Sequence, residues 1–195
     1  MTSCTLFFCV YMKYIPIFLG MSEKSRYFVI DNYFYSYPDY SYHSKLITIM
    51  DIKTVGIASD HAAFPLKQFV KQYLEEKGIE YKDYGTYTEE SCNYATYGHA
   101  LAEGIEKGEV YPGIAMCGSG EGISMTLNKH QGIRAGLCWI PEIAHLIRQH
   151  NNANVLVMPG RFIDNEMARK IMDEFFATEF EGGRHQQRID DIPLK

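Results

Sequence analysis

Gly113-Ile114-Ala115-Met116-Cys117-Gly118-Ser119-Gly120-Glu121-Gly122 reads as a buried strand running into a glycine-lined turn. Apolar and small residues fill the stretch up to the cysteine, the signature of a strand covered on both faces. Alternating glycines then turn the chain into Ile123-Ser124-Met125-Thr126-Leu127-Asn128-Lys129, which reads as a helix. The Cys117 thiol therefore stands at the mouth of a loop where backbone N–H groups converge. Such a loop can hold an anion or an oxyanion and can favour a thiolate. A tight βα turn with a structural cysteine gives the same pattern, and a glycine motif this short does not choose between the two.

The chain around this stretch alternates strand and helix. Val55-Gly56-Ile57-Ala58 is a short apolar strand, and Leu66, Phe69, Val70, Tyr73 and Leu74 follow at helical spacing up to Gly78. Residues 79–84 read as a second strand and 97–107 as a second helix. The Cys117 strand is the third, residues 133–138 the fourth and 154–158 the fifth. A helix opens at Pro141 with Ile143, Ala144 and Ile147, where proline suits the first turn. Another carries Met167, Ile171, Met172, Phe175 and Phe176. Five βα repeats predict an α/β fold, a Rossmann-like three-layer α/β/α sandwich on a five-stranded parallel sheet, with a C-terminal helical arm.

In such sheets ligands bind beyond the carboxyl ends of the strands. Ser59-Asp60-His61 follows strand one, Cys117 to Gly120 strand three, and Pro159-Gly160-Arg161 strand five. His150 and Asn151 end the helix before strand five, and Arg184 and Arg188 lie four apart on one face of the arm. Each has a plain alternative: His61 as a helix-start residue, His150 as a cation at a helix C-terminus, the arginine pair as a solvated face. One thiol, two imidazoles, an oxyanion-type loop and three guanidiniums gathered at one sheet edge predict acid–base chemistry on a phosphorylated substrate.

Composition narrows the field. Of 195 residues, 46% are hydrophobic and 22% charged, with a formal net charge of −5, ordinary values for a globular protein. That balance gives no support for nucleic acid as the partner, which wants a basic face. Cys4, Cys9, Cys92, Cys117 and Cys138 are odd in number and scattered, which predicts reduced thiols in a cytoplasmic protein. No cluster has metal-ligand spacing, and the loop departs from the dinucleotide fingerprint, so neither a metal nor an organic cofactor is expected. Residues 1–49 stand apart. The apolar run 4–20 is interrupted by Lys13 and lacks a basic lead, a poor signal peptide and a poor membrane span. The aromatic run 26–43 keeps no period. This segment is expected to be a disordered or non-native extension, with Met50 the candidate initiator and 50–195 the functional domain.

Taken together, these residues resemble the type B ribose-5-phosphate isomerases, within the group that includes galactose-6-phosphate isomerase. The resemblance rests on Ser59-Asp60-His61-Ala62 with Lys67, on Cys117-Gly118-Ser119-Gly120 with Gly122-Ile123-Ser124, and on Asn128-Lys129 with Gly132-Ile133-Arg134-Ala135. Arg148-Gln149-His150-Asn151 and Glu181-Gly182-Gly183-Arg184-His185 complete it. It implies interconversion of ribose 5-phosphate and ribulose 5-phosphate through an enediolate. By that likeness Cys117 is the base, Ser119 and the loop Gly118, Gly120, Glu121 and Gly122 stabilise the oxyanion and bind substrate with Ser124, and His150 opens the furanose ring. Asp60 and His61 contact the sugar, Tyr94 and Asn151 add contacts, and Arg161, Arg184 and Arg188 clamp the phosphate. It also implies a homodimer or tetramer that needs no nucleic acid or membrane.

The chain departs from the family pattern in places. Asn93-Tyr94-Ala95 stands where Asp-Tyr-Pro is usual, and His150-Asn151-Asn152 where His-Asn-Asp is usual. Relatives with a glutamate base carry it at the position of Ile123, which leaves Cys117 as the base here. A cysteine phosphatase would need arginine at Ile123 and is disfavoured. Isomerisation of a six-carbon sugar phosphate and a non-catalytic sugar-phosphate module are the remaining alternatives. Retention of both Cys117 and His150 argues against the second.

Overall fold

The computed structural model describes residues 52–193, together with the backbone of 29–30 and 33–34. In the latter, Val29–Ile30 pairs antiparallel with Tyr33–Phe34 in a separate unit, Met1–Lys45; otherwise the expectation for 1–49 lies outside the described residues.

The main unit is a five-stranded, all-parallel sheet. In chain order its elements are β1 (Val55–Ser59), α1 (Phe64–Glu76), β2 (Tyr81–Asp83), α2 (Tyr94–Glu106), β3 (Gly113–Cys117), α3 (Glu121–Leu127), β4 (Ala135–Leu137), α4 (Pro141–Gln149), β5 (Val155–Pro159), α5 (Asn165–Ala177) and α6 (Arg184–Asp190). The strand order is β2-β1-β3-β5-β4, so the three central strands β1, β3 and β5 bring their carboxyl ends together. Each is five residues long and fully buried.

Strand alternation sorts the core into two layers. Val55, Ile57, Ile114, Met116, Leu156 and Met158 face α1, α4 and α5, where Tyr73, Ile171, Phe175 and Phe176 close the layer. Ala58, Ala115, Cys117, Val155 and Val157 face α2 and α3 with Leu101, Ile123 and Leu127. On that second face Gly56 lets α2 come close: a Cβ there would lie 2.5 Å from Leu101 and 2.7 Å from Val110. The predicted three-layer sandwich is thus the observed one, with α6 as the arm. Among the described residues no helix is long and apolar enough to cross a membrane.

Boundaries differ where side chains compete for backbone groups. α2 starts at Tyr94, before the predicted 97, because the Asn93 side chain accepts the Ala95 N–H at 2.9 Å and caps the helix. β4 is shorter than predicted, since the Ile133 N–H goes to the His130 carbonyl and the Arg134 N–H to Asn154 Oδ1.

Candidate active site

Cys117 is the last residue of β3 and 4% exposed, on the α2/α3 side. Its Sγ accepts the Gly120 N–H at 3.2 Å. That return bond requires Gly120 in the left-handed region at φ 81°, and a side chain there would drive into Leu137, 2.3 Å away. No side chain caps α3; Ser119 Oγ accepts the Glu121 N–H at 3.4 Å. The amides that open a helix have no partner within it; here those of Gly120 and Glu121 are taken by Cys117 and Ser119, at a loop whose Ser119 is exposed and whose Gly118 is half-buried. Glu121 is exposed, Ser124 is half-buried one turn on, and Ile123 is sealed in the core.

The loops after β1 and β5 are stitched to this one. Gly160 N–H donates to the Cys117 carbonyl at 2.9 Å and Arg161 N–H to the Gly118 carbonyl at 3.0 Å. The Arg161 stem passes Gly118 (a Cβ there would meet Arg161 Cδ at 3.6 Å), and Ala62 lies against the same spot at 3.4 Å. From α2 the Tyr94 ring covers Gly122, 2.6 Å from where a Cβ would stand. Asp60, His61, Tyr94, the Cys117–Gly122 loop and Arg161 therefore form one group.

Within it, Asp60 Oδ1 accepts the Ala63 N–H at 3.1 Å and caps the short 3₁₀ turn His61–Ala63. His61 Nδ1 accepts the Cys92 N–H at 3.2 Å, which in the neutral ring puts the proton on Nε2. Cys92 Sγ lies 3.8 Å from the same nitrogen. Sequence reading missed this partner, because nothing local marks a loop residue that far along the chain. Lys67 anchors the same loop. Fully buried, it donates to Asp83 at 2.7 and 2.9 Å and to the Thr86 carbonyl. Burial lowers its pKa, and the Asp83 hydrogen bond opposes that shift.

The remaining candidates form a second group, and here the expectation of a single sheet edge is corrected. A helix between parallel strands runs back against them, so α4 carries His150 and Asn151 to the amino edge of the sheet. Asn154, just beyond, accepts the N–H of Gly113, the first residue of β3, whereas Cys117 is the last. Four strand steps, about 13 Å, separate those two ends. His150 is the C-cap of α4, its N–H bonded to the Leu146 carbonyl at 2.9 Å. Its ring stacks on His185 of α6, with centroids 4.3 Å apart and planes 8° apart. Arg184 and Arg188 occupy the exposed face of α6, and His185 and Ile189 its buried face.

Asn152, φ 45°, turns the chain in a conformation asparagine tolerates. Its Oδ1 accepts from Arg148 at 2.9 Å and its carbonyl accepts from Arg134 at 2.9 and 3.0 Å. His150, Glu181 and His185 bring three metal-capable atoms within 4.8 Å of one another. The stacked rings lie in nearly parallel planes, however, so no single ion position lies in the plane of both. The donors do not converge as a zinc site requires.

With that geometry in view, comparison with known proteins is specific. Residues 55–192 match the family described as Ribose/Galactose Isomerase. The chain belongs to this family. It is 42% identical over 141 residues to ribose-5-phosphate isomerase B of Escherichia coli, covering 72% of this chain and 95% of that one. It is similar to the crystal structure of a ribose 5-phosphate isomerase from Thermotoga maritima, with TM-score 0.71 and 50% identity over 73% of this chain and 98% of that one. A third likeness is to ribose-5-phosphate isomerase B of Mycoplasma genitalium with bound ribulose-5-phosphate. Its TM-score is 0.68 and its identity 38%, covering 71% of this chain and 93% of that one.

Proposed function

We propose that this protein is an aldose–ketose isomerase that interconverts ribose 5-phosphate and ribulose 5-phosphate. The observation that carries the reading is the Cys117 thiol at the base of a loop whose own amide it already engages. The Cys117 thiolate takes the C2 proton of the open-chain aldose. Charge develops on the C1 oxygen, and the enediolate forms against the Gly118–Gly122 loop and Ser119. A proton passes from O2 to O1, and return of the carbon-bound proton to C1 leaves the carbonyl at C2. Donors already in place at the developing oxyanion supply most of the stabilisation that such a site offers. His61, with its proton on Nε2, donates to the sugar beside Asp60, and Tyr94 walls the pocket. Arg161, Arg184 and Arg188 hold the phosphate, which suits guanidinium geometry.

His150, Asn151, Arg184 and Arg188 serve this chemistry from a second copy of the chain. The separation of the two groups to opposite edges of the sheet supports a homodimer with composite sites. A groove of about 830 Å³ lies between α6 and the segment after α3, with Ile133, Ile189, Ile192 and Pro193 interspersed with polar side chains such as Arg134 and Asp190 in its lining, and offers that copy a seat. The three described cysteines are free thiols, in keeping with a cytoplasmic enzyme. A coupled assay across ribose 5-, allose 6- and galactose 6-phosphates tests the reading. Preference for ribose 5-phosphate is expected; preference for a six-carbon substrate, or none turned over, overturns it.

A further inference from the structure

The geometry points to a stacked imidazole pair, His150 on His185, that carries a single proton held by Glu181, with His185 the positioning residue that keeps His150 the proton carrier. The inference deepens the reading of His150 as the ring-opening acid and rests on it for its catalytic meaning. The stack itself is unusual in its surroundings. His185 is 4% exposed and its Nε2 has no hydrogen-bond partner. His150, 35% exposed in its side chain, reaches solvent. Glu181 Oε2 lies 3.8 Å from His150 Nε2 and 3.9 Å from His185 Nε2. Those distances are too long for hydrogen bonds but close enough for charge to act on both rings.

The carboxylate is not there by chance of rotamer alone, because the Glu181 N–H is bonded to the Gln149 carbonyl at 2.9 Å, beside the end of α4. Two imidazolium ions stacked face to face would repel, so one proton excludes the second. Burial pushes the His185 pKa down, His150 and the neighbouring Arg184 and Arg188 push the same way, and Glu181 opposes them. Of the two rings, His150 is the one that solvent reaches and that lies beside the Glu181 carboxylate, so it is the ring placed to take up and reload the proton. His185 stays neutral as a flat, immobile platform that fixes the plane in which His150 presents Nε2. An acid poised on a fixed platform can protonate the furanose ring oxygen as its bond to C1 breaks, while the C1 hydroxyl gives up its proton to solvent, from which the acid is reloaded.

The test is a titration of the resting full-length protein by NMR with ¹⁵N-labelled histidine, alongside kinetics in both directions. In the wild type, His150 is expected to protonate between pH 9 and 5 while His185 stays neutral. Glu181→Gln should lower the His150 midpoint by about half a unit or more. Protonation of both rings over the same range, or an unmoved midpoint in Glu181→Gln, overturns the pair. His185→Phe, which keeps a flat ring, should hold the aldose-direction kcat within about threefold, while His185→Ala should lower it about tenfold. Equal losses in the two variants remove the platform role. The ring-opening reading fails separately: His150→Asn would then slow ribose 5-phosphate and ribulose 5-phosphate alike, while the titration of the pair still stands or falls on the resting protein.

Discussion

At the scale of single residues, Cys117 owes its position to one backbone amide and to the glycine that can supply it. Cys117→Ala removes the proposed base together with the acceptor of the Gly120 N–H, while the glycines that shape the loop stay in place. Turnover should vanish while the fold and sugar-phosphate binding persist; a kcat above about a tenth of wild type, a barrier change under about 1.4 kcal/mol, would mean another group moves the proton. Gly122→Ala acts differently, because its methyl group meets the half-exposed Tyr94 ring, which can swing into solvent. KM for the sugar phosphate should rise about threefold or more with the melting temperature nearly unchanged, and an unchanged KM would take Tyr94 out of the site. The Cys117 loop is legible in sequence because strand, turn and helix signals are local there. The tautomer of His61 is not, since it depends on the Cys92 amide. Nor are the roles of Asn93, whose amide oxygen accepts the Ala95 N–H, and of Asn152, whose amide oxygen accepts from the Arg148 guanidinium.

Elements follow from periodicity as long as apolar faces decide them, and the central strands and α1, α4 and α5 are readable for that reason. Edges are harder: β2 and β4 are three residues each, and side-chain bonds to the backbone set their ends. The close seat of α2 on the sheet predicts that Gly56→Ala overpacks Leu101 and Val110, at a cost of about 1–3 kcal/mol. Calorimetry should show the melting temperature falling by several degrees, and no change would mean α2 can shift outward freely. Cys138, just after β4 and fully buried, has its thiol pKa pushed up to about 12 by burial. The unfolded chain loses this proton earlier than the folded one, so the contribution is intact below about pH 8.5 and is lost as pH rises toward 12. Cys138→Ala should flatten the alkaline fall in stability relative to wild type, whatever the cost of its cavity at neutral pH. An unaltered alkaline limb would put that fall elsewhere.

On the scale of the whole molecule, the course of each helix back across the sheet is what divides the candidate residues, and a list of motifs in order along the chain does not reveal it. Strand ends and helix ends look alike in sequence; only the topology tells which edge each one reaches. On the composite-site proposal, activity becomes a property of association. Cys117→Ala protomers mixed with Arg184→Ala/Arg188→Ala protomers should regain activity, one intact site per mixed dimer, once exchange has been verified. An active monomer in sedimentation, or no recovery, would refute the shared site. A chain beginning at Met50 should match the full chain in activity and folding, and loss of either would make 1–49 part of the working protein. Sites shared in this way would also give inheritance of a defect a particular form. A lesion in one half spoils one site of a mixed dimer, so activity declines in proportion to the altered chain. A chain damaged at both Cys117 and the α6 arginines silences both sites of every partner it meets. Activity then follows the square of the intact fraction, and such an allele would be dominant.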